Sequence, residues 1–345
     1  MNTRCTCHIV PKDVLDRLAG DAKLPEKLRR GAAYSARLSE HVRALRTQAQ
    51  RLTGLGLLAG EHLATLAPKP AIELYDCRHT QSLPGVHAGN PGKSKDPTVR
   101  RAFTETGLVA EFYAKAFGRN SIDNAGMTLV SSVHYGKGYN NAMWNGSQMV
   151  YGDGDGKIFV DFTRGNDVIG HELTHGVTQH TLQLDYQDDA GGLNESLSDC
   201  FGSMFRQWQA SQKAGAADWL IGKDIMGPIA RARGFSCLRN MANPADPAAL
   251  APQPTQYAQL HPGMDPHYTS GPPNLAFCAA CKTVGGYSWD TIGKVWYAVL
   301  TTSGQQPNMT MPTFAARTRQ VAAHLFGGGS AVARAVDAGW KQVGL

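Results

Sequence analysis

Apolar positions recur along this chain with two different periods. Over residues 12–52, Val14, Leu15 and Leu18, then Tyr34, Leu38, Val42, Leu45 and Leu52, fall at helical spacing between Arg and Lys residues, which predicts an amphipathic helical segment. Gly54, Gly56, Gly60, Pro68 and Pro70 then break the pattern and mark a linker or processing region. From Ala71 to about Thr163, runs such as Ile72-Glu-Leu-Tyr75 and Met127-Thr-Leu-Val-Ser-Ser-Val-His-Tyr135 alternate between Gly, Asn and Asp turns, which predicts a mainly β portion. Beyond Gly165 the period becomes helical at 167–181, 193–212, 274–284, 289–302 and 312–325, with a Pro-rich loop from Asn243 to Pro266. The expected architecture is α+β and two-lobed: a helical segment and linker over 1–60, a mainly β lobe over 61–165, and a mainly α lobe over 166–345.

Composition narrows the class. With 345 residues, 42% hydrophobic and 18% charged, the chain can build a sizeable core. It holds no apolar run of membrane-spanning length, and Met1-Asn-Thr-Arg-Cys-Thr-Cys-His8 lacks the apolar stretch of a secretory signal, so synthesis in the cytoplasm and no membrane partner are expected. Residues 1–53 carry 11 Lys and Arg against 5 Asp and Glu, while the rest carry 23 against 23, so the whole net charge of +6 lies in the first segment. A nucleic-acid binder would carry that charge on its working domain, and that class is excluded. Seven cysteines at irregular spacing do not form a disulfide framework, and Cys278-Ala-Ala-Cys281 reads as packing in an apolar helix. Asp153-Gly-Asp-Gly156 begins like a calcium loop, but Lys157 and Ile158 break the register and leave a turn.

The chemistry is concentrated in His171-Glu-Leu-Thr-His175 and in Glu195 of Asn194-Glu-Ser-Leu-Ser-Asp199. On a helix, residues four apart share a face, so His171 and His175 present two imidazoles to one point with Glu172 beside it. Two His and one carboxylate are a known ligand set for hydrolytic Zn²⁺, which keeps a fourth position for water, and Glu195 can supply the carboxylate. Two apolar helices carrying imidazoles and acids inward need an ion to offset the cost of burial.

From Tyr75 onward the chain resembles the thermolysin family of zinc metallopeptidases. The resemblance is carried in order by Gly138-Tyr-Asn-Asn-Ala-Met-Trp-Asn-Gly, the His171 helix, Gly191-Gly-Leu-Asn-Glu-Ser-Leu-Ser-Asp199 and Gly263-Met-Asp-Pro-His-Tyr-Thr-Ser-Gly271. Tyr75-Asp-Cys-Arg-His-Thr-Gln-Ser-Leu-Pro-Gly85 and the short N-terminal segment are more similar to the protealysin-like branch. The resemblance implies a zinc endopeptidase whose two lobes are joined by the zinc-binding helix. His171, His175 and Glu195 would be the metal ligands, Glu172 the general base, and Tyr186 and His267 the donors to the oxyanion. Asp199 and Asp265 would orient the imidazoles, while Asn141, Ala142 and Arg239 would grip the peptide main chain. Phe159, Phe162, Val168, Ile221 and Leu238 match positions lining the pocket just past the cleaved bond, which implies cleavage on the amino side of bulky hydrophobic residues.

One departure concerns calcium. Asp167 and Asp218 of the family's paired site are kept, but Arg206, Leu220 and Lys223 stand where acids belong, so calcium is not expected there and the two cations should pair with the two acids. The N-terminal segment reads as an inhibitory propeptide, and Cys7, in Cys5-Thr-Cys-His8, is a candidate to occupy the zinc's open position in the precursor. Peptide or protein substrates and the chain's own propeptide are the expected partners of a monomer, and the family implies export by a leaderless route. A gluzincin aminopeptidase is the rival enzyme class, disfavoured because no amine-anchoring acidic motif precedes the zinc helix. A non-catalytic relative is disfavoured because every expected catalytic position is filled.

Overall fold

Each hydrophobic period builds its own layer in the computed structural model, which describes residues 7–54 and 70–345. The Gly/Pro break between them, with the expected boundary at 60/61, lies largely outside the described residues, as does Cys5. In chain order come β1 (Cys7–His8), α1 (Lys12–Gly20), α2 (Glu26–Gly54), β2 (Ile72–Asp76), β3 (Val86–His87), α3 (Pro97–Phe117), β4 (Leu129–Val133), β5 (Ala142–Trp144) and β6 (Met149–Tyr151). The second half holds α4 (Asn166–Gln179), α5 (Asp188–Gln209), β7 (Leu220–Ile221), α6 (Pro228–Ala232), β8 (Arg239–Asn240), α7 (Pro266–Thr269), α8 (Gly271–Val284), α9 (Ile292–Thr302), α10 (Met311–Phe326) and α11 (Ala331–Gln342). This is the expected two-lobed α+β architecture. No helix among the described residues is long and apolar enough to cross a membrane.

Six strands form one sheet in the order β1-β5-β6-β4-β2-β3, with β4 parallel to β2 and β6 and the other neighbours antiparallel. Alternation along β5 and β6 sends Ala142, Trp144, Met149 and Tyr151 into the main core and Met143 and Val150 to the opposite face. That second face is not left to solvent. Leu38 of α2 packs there with Tyr135 and Tyr139, and Tyr34 and Val42 flank them.

Within 71–163, expected as short alternating runs, the sheet is accompanied by the 21-residue helix α3. Asp96 caps its start by accepting from the Thr98 and Val99 N–H groups, Pro97 fits the first turn, and Gly118 ends it at φ 68°. The helical segment predicted over 12–52 is also two helices. Asp21 accepts from the Lys23 N–H and Pro25 precedes the second, so the chain turns between α1 and α2.

Two glycines decide how closely α4 and α5 pack. A methyl group at Gly202 would stand 2.6 Å from the Asp167 carbonyl oxygen, and one at Gly170 would stand 3.1 Å from the Cα of Gly202. Their bare backbones therefore let α5 lie against α4 at the level of His171, which brings Glu195 to the two imidazoles. Ile9, Val10, Val14 and Leu15 of the N-terminal segment share the main core with α4 and α5.

Candidate active site

His171, His175 and Glu195 converge as their spacing requires. The two imidazole Nε2 atoms are 3.0 Å apart, and the Glu195 carboxylate lies 3.4 Å from His171 Nε2 and 3.5 Å from His175 Nε2. Three ligands of a tetrahedral zinc ion, each about 2.0–2.2 Å from the metal, stand about 3.3 Å from one another. All three side chains are buried.

The outer contacts fix which nitrogen is bare. His171 Nδ1 lies 2.9 Å from Asp199 Oδ1, and His175 Nδ1 lies 2.9 Å from Asn194 Oδ1 and 3.0 Å from Ser198 Oγ. With each Nδ1 donating, both Nε2 lone pairs face each other, and Glu195 Oε2 is a buried oxygen without a hydrogen-bond partner. Three buried electron-rich atoms at such range repel unless a cation lies among them, so this donor set fits zinc. Burial holds the His175 pKa down to about 3, whereas for His171 burial is outweighed by Asp199 and Glu195, which raise it to about 9. Burial also opposes the Glu195 charge, but the attraction of His267, His175 and His171 holds its pKa well below the usual carboxylate range.

Glu172, one step round the helix, accepts from the Trp144 N–H through Oε2 at 2.8 Å and leaves Oε1 without a hydrogen-bond partner. Burial pushes its pKa up to about 8. One oxygen is thus anchored and the other remains available to a proton. His267 Nδ1 donates to Asp265 Oδ1 at 2.6 Å, and although burial opposes the charge, Glu195 and Asp265 raise the pKa of the ring, so that in its protonated form Nε2 is a second donor. The Tyr186 hydroxyl, expected as a second oxyanion donor, here donates to Glu195 Oε1 at 2.5 Å and lies 3.4 Å from His267 Nε2. A buried carboxylate is the strongest acceptor within its reach.

The N-terminal segment lies along the remaining residues. Strand β1 runs antiparallel to β5 with Cys7 opposite Trp144 and His8 opposite Met143. The Ile9 N–H donates to the Ala142 carbonyl at 3.2 Å, the Val10 N–H to Asn141 Oδ1 at 2.9 Å, and Asn141 Nδ2 to the Val10 carbonyl at 3.1 Å. His267 Nε2 donates to the His8 carbonyl at 2.5 Å, and Arg239 Nη1 to the Ile9 carbonyl at 3.0 Å. Phe159, Phe162, Val168, Ile221 and Leu238 are all fully buried within the main core, which also holds Ile9 and Val10.

The sulfur of Cys7 stands within 4.8 Å of ligand atoms of His175 and Glu195. It is in a disulfide, however, which corrects the expectation of a thiolate at this point. A disulfide sulfur lacks the negative charge that makes a thiolate a metal ligand. Cys278 and Cys281 are buried free thiols in α8, as packing requires.

Where the resemblance placed a paired calcium site, Arg206 lies 4.0 Å from Asp167 and 3.4 Å from Asp218, and Lys223 lies 2.9 Å from Asp218. Asp224, 3.6 Å from Arg206, adds an acid that the sequence did not single out. Sequence reasoning also missed Asn194, Ser198 and Asn274, which hold His175 and Asp199. Asn194 could have been found, since it immediately precedes Glu195 in the same motif; Asn274 carried no local signal. The N-terminal strand was hidden because Ile9-Val10-Pro11 is too short for any period to register.

Comparison with known proteins gives the family. Residues 69–179 match the family model of the thermolysin metallopeptidase catalytic domain, and residues 182–345 that of its alpha-helical domain. An extracellular metalloprotease of Pectobacterium carotovorum is 40% identical over 79% of this chain and 80% of its own length, and protease PrtS of a Photorhabdus strain is 38% identical over 79% and 76%. The solved precursor of protealysin, a metalloproteinase from Serratia proteamaculans, superimposes with a TM-score of 0.82 at 35% identity, covering 98% of this chain and 99% of that one.

Proposed function

We propose, from the premise that the chain belongs to the thermolysin family of metallopeptidases, that this metalloendopeptidase is held inactive by its own N-terminal segment and cuts before bulky hydrophobic residues. One observation carries the reading: residues 8–10 lie on β5 as an extended peptide, with the His8 carbonyl on His267 and the Ile9 carbonyl on Arg239. A substrate lying the same way would place its cleaved bond where His8 joins Ile9.

His171, His175 and Glu195 would hold zinc, which supplies Lewis acidity to the scissile carbonyl and to the attacking water. Glu172 takes the proton of that water on its open oxygen and passes it to the leaving nitrogen. His267, held in its protonated form by Glu195 and Asp265, donates from Nε2 to the carbonyl oxygen as negative charge develops there, and Tyr186 adds a second donor on turning from Glu195. Asn141, the Ala142 carbonyl and Arg239 align the main chain, so that the reacting atoms meet without a search. The apolar cluster around Phe159, Phe162, Val168, Ile221 and Leu238 receives the side chain after the cut, worth roughly 1.5–3 kcal/mol for a bulky apolar group.

Residues 1–60 act as the propeptide, ahead of lobes spanning 61–165 and 166–345. Ile9 and Val10 fill the places a substrate needs, and reduction of the Cys7 disulfide would let its sulfur act as a ligand as well. Arg206 and Lys223 take the place of calcium beside Asp167 and Asp218. The enzyme works as a monomer and acts outside the cell, the second part of this reading being supported by the extracellular relative. The test is to incubate the intact chain with casein and follow its N-terminus by mass spectrometry. Chelator-sensitive activity should appear only as the first segment is lost, with new cuts before Leu, Ile and Phe. Full activity in the uncut chain, or equal cutting before charged residues, would overturn the reading.

A further inference from the structure

Outside the catalytic cluster, the described residues hold a second group of metal-type ligands, contributed by three separate loops. His79, His134 and Asp153 each offer one ligand atom, all within 4.8 Å of one another. His134 Nδ1 lies 2.8 Å from Asp153 Oδ1, and His79 Nδ1 lies 3.1 Å from Asp153 Oδ2, with the two rings 5.3 Å apart. None of these residues belongs to the proteolytic machinery described above.

We propose that His79, His134 and Asp153 form a second divalent-metal site, selective for an imidazole-binding ion of the Zn²⁺, Co²⁺ or Ni²⁺ class. Donors about 2.0–2.2 Å from such an ion stand about 3.3 Å from each other, a small outward shift from the 2.8 and 3.1 Å between the Asp153 oxygens and the two Nδ1 atoms. The far side of His134 is also arranged for ligation: its Nε2 donates to Asp96 Oδ2 at 3.0 Å, so an ion that displaces the Nδ1 proton now given to Asp153 meets a lone pair on a ring already oriented. Asp96 is itself fixed, because its other oxygen caps α3.

Backbone geometry brings the imidazoles together. Arg78, His79 and His134 all adopt left-handed conformations, at φ 50°, 61° and 53°, and the His79 N–H donates to the His134 carbonyl at 2.8 Å. This pairs the two main chains, so both side chains leave from the same spot. The carboxylates of Asp153, Asp96 and Asp76 all act on His134 with the same sign and concentrate negative potential there. Two nitrogens and one carboxylate suit a borderline transition ion and not calcium, which needs six to eight oxygens. His79 keeps 58% of its side chain exposed, so an ion and its remaining waters can enter from solvent.

The experiment uses the full chain carrying Glu172→Gln, which keeps it intact, equilibrated by dialysis with micromolar free Co²⁺ and counted by mass spectrometry of the metal. Two ions per chain are expected, falling to one when His79→Ala is added and to one when His171→Ala and His175→Ala are added instead. Because His79 is largely exposed, its replacement leaves the fold intact, which circular dichroism checks. The lost ion should bind at least tenfold more weakly in the His79→Ala chain by calorimetric titration. One ion per chain at the start, or two that persist after His79→Ala, would overturn the proposal by leaving an ordinary hydrogen-bonded His–Asp cluster.

Discussion

Arg239 donates to the Ile9 carbonyl at 3.0 Å through Nη1, while Asp199 holds its Nε at 2.9 Å and its Nη2 at 2.7 Å. Asp199 also accepts from His171 Nδ1 and from Asn274. One buried carboxylate therefore orients both the His171 imidazole, a proposed zinc ligand, and the side chain proposed to grip the peptide main chain. Lys in place of Arg239 cannot reproduce the planar fork. Arg239→Lys should lower kcat/KM by about 10- to 100-fold, as losing a charged hydrogen bond of about 1.5–3 kcal/mol implies. Steady-state kinetics on a blocked peptide would measure it, and an unchanged kcat/KM would refute this role.

The same contacts predict that the N-terminal segment inhibits in trans. A synthetic peptide spanning residues 7–20 should compete with substrate for the processed enzyme. Ile9→Ala in that peptide removes much of a buried side chain, worth about 1.5–3 kcal/mol, and should raise the inhibition constant by about 10- to 100-fold. Equal inhibition by both peptides would place the segment's affinity elsewhere.

Glu172→Gln keeps the size of the side chain and removes its basicity. Turnover should fall at least a thousandfold, on the scale of losing a general base together with charge stabilisation. Zinc content should not change, because the proposed ligands are His171, His175 and Glu195. Metal analysis of the purified variant beside its casein activity separates the two effects, and loss of zinc would contradict the assignment.

Asp167 is fully buried, and Arg206 is the nearest cation to it. The Gly222 N–H donates to its Oδ2 at 2.6 Å, but Oδ1 has no hydrogen-bond partner. Arg206→Ala should destabilise the fold by about 1–3 kcal/mol by stranding that charge. In the unaltered chain, millimolar calcium should leave the melting temperature where it is. Calorimetric scans with calcium and with chelator would test both statements, and a rise of many degrees with calcium would show that an ion still binds there.

Much of the site was legible in the sequence, for a local reason. His171, Glu172 and His175 lie within one helical turn, and Asp265 stands two residues before His267, so backbone geometry alone fixes their neighbourhood. Glu195 needed more, because its meeting with the imidazoles depends on α5 lying against α4 through Gly170 and Gly202. The sheet was visible from its period of two, whereas α3 was masked by the alternating runs around it.

What the sequence determined by itself was the donor set: which atoms can bind a cation, which carboxylate can take a proton, and which lobes are built from strands or helices. Only the tertiary structure decided what those atoms face. It carried His8 and Ile9 across more than two hundred residues to His267 and Arg239, turned Tyr186 onto Glu195, set Arg206 among Asp167, Asp218 and Asp224, and brought His79 to His134. Spacing along a helix or strand is set by backbone periods that any short segment reveals. Contacts between distant segments depend on the packing of the whole core, which no local pattern encodes.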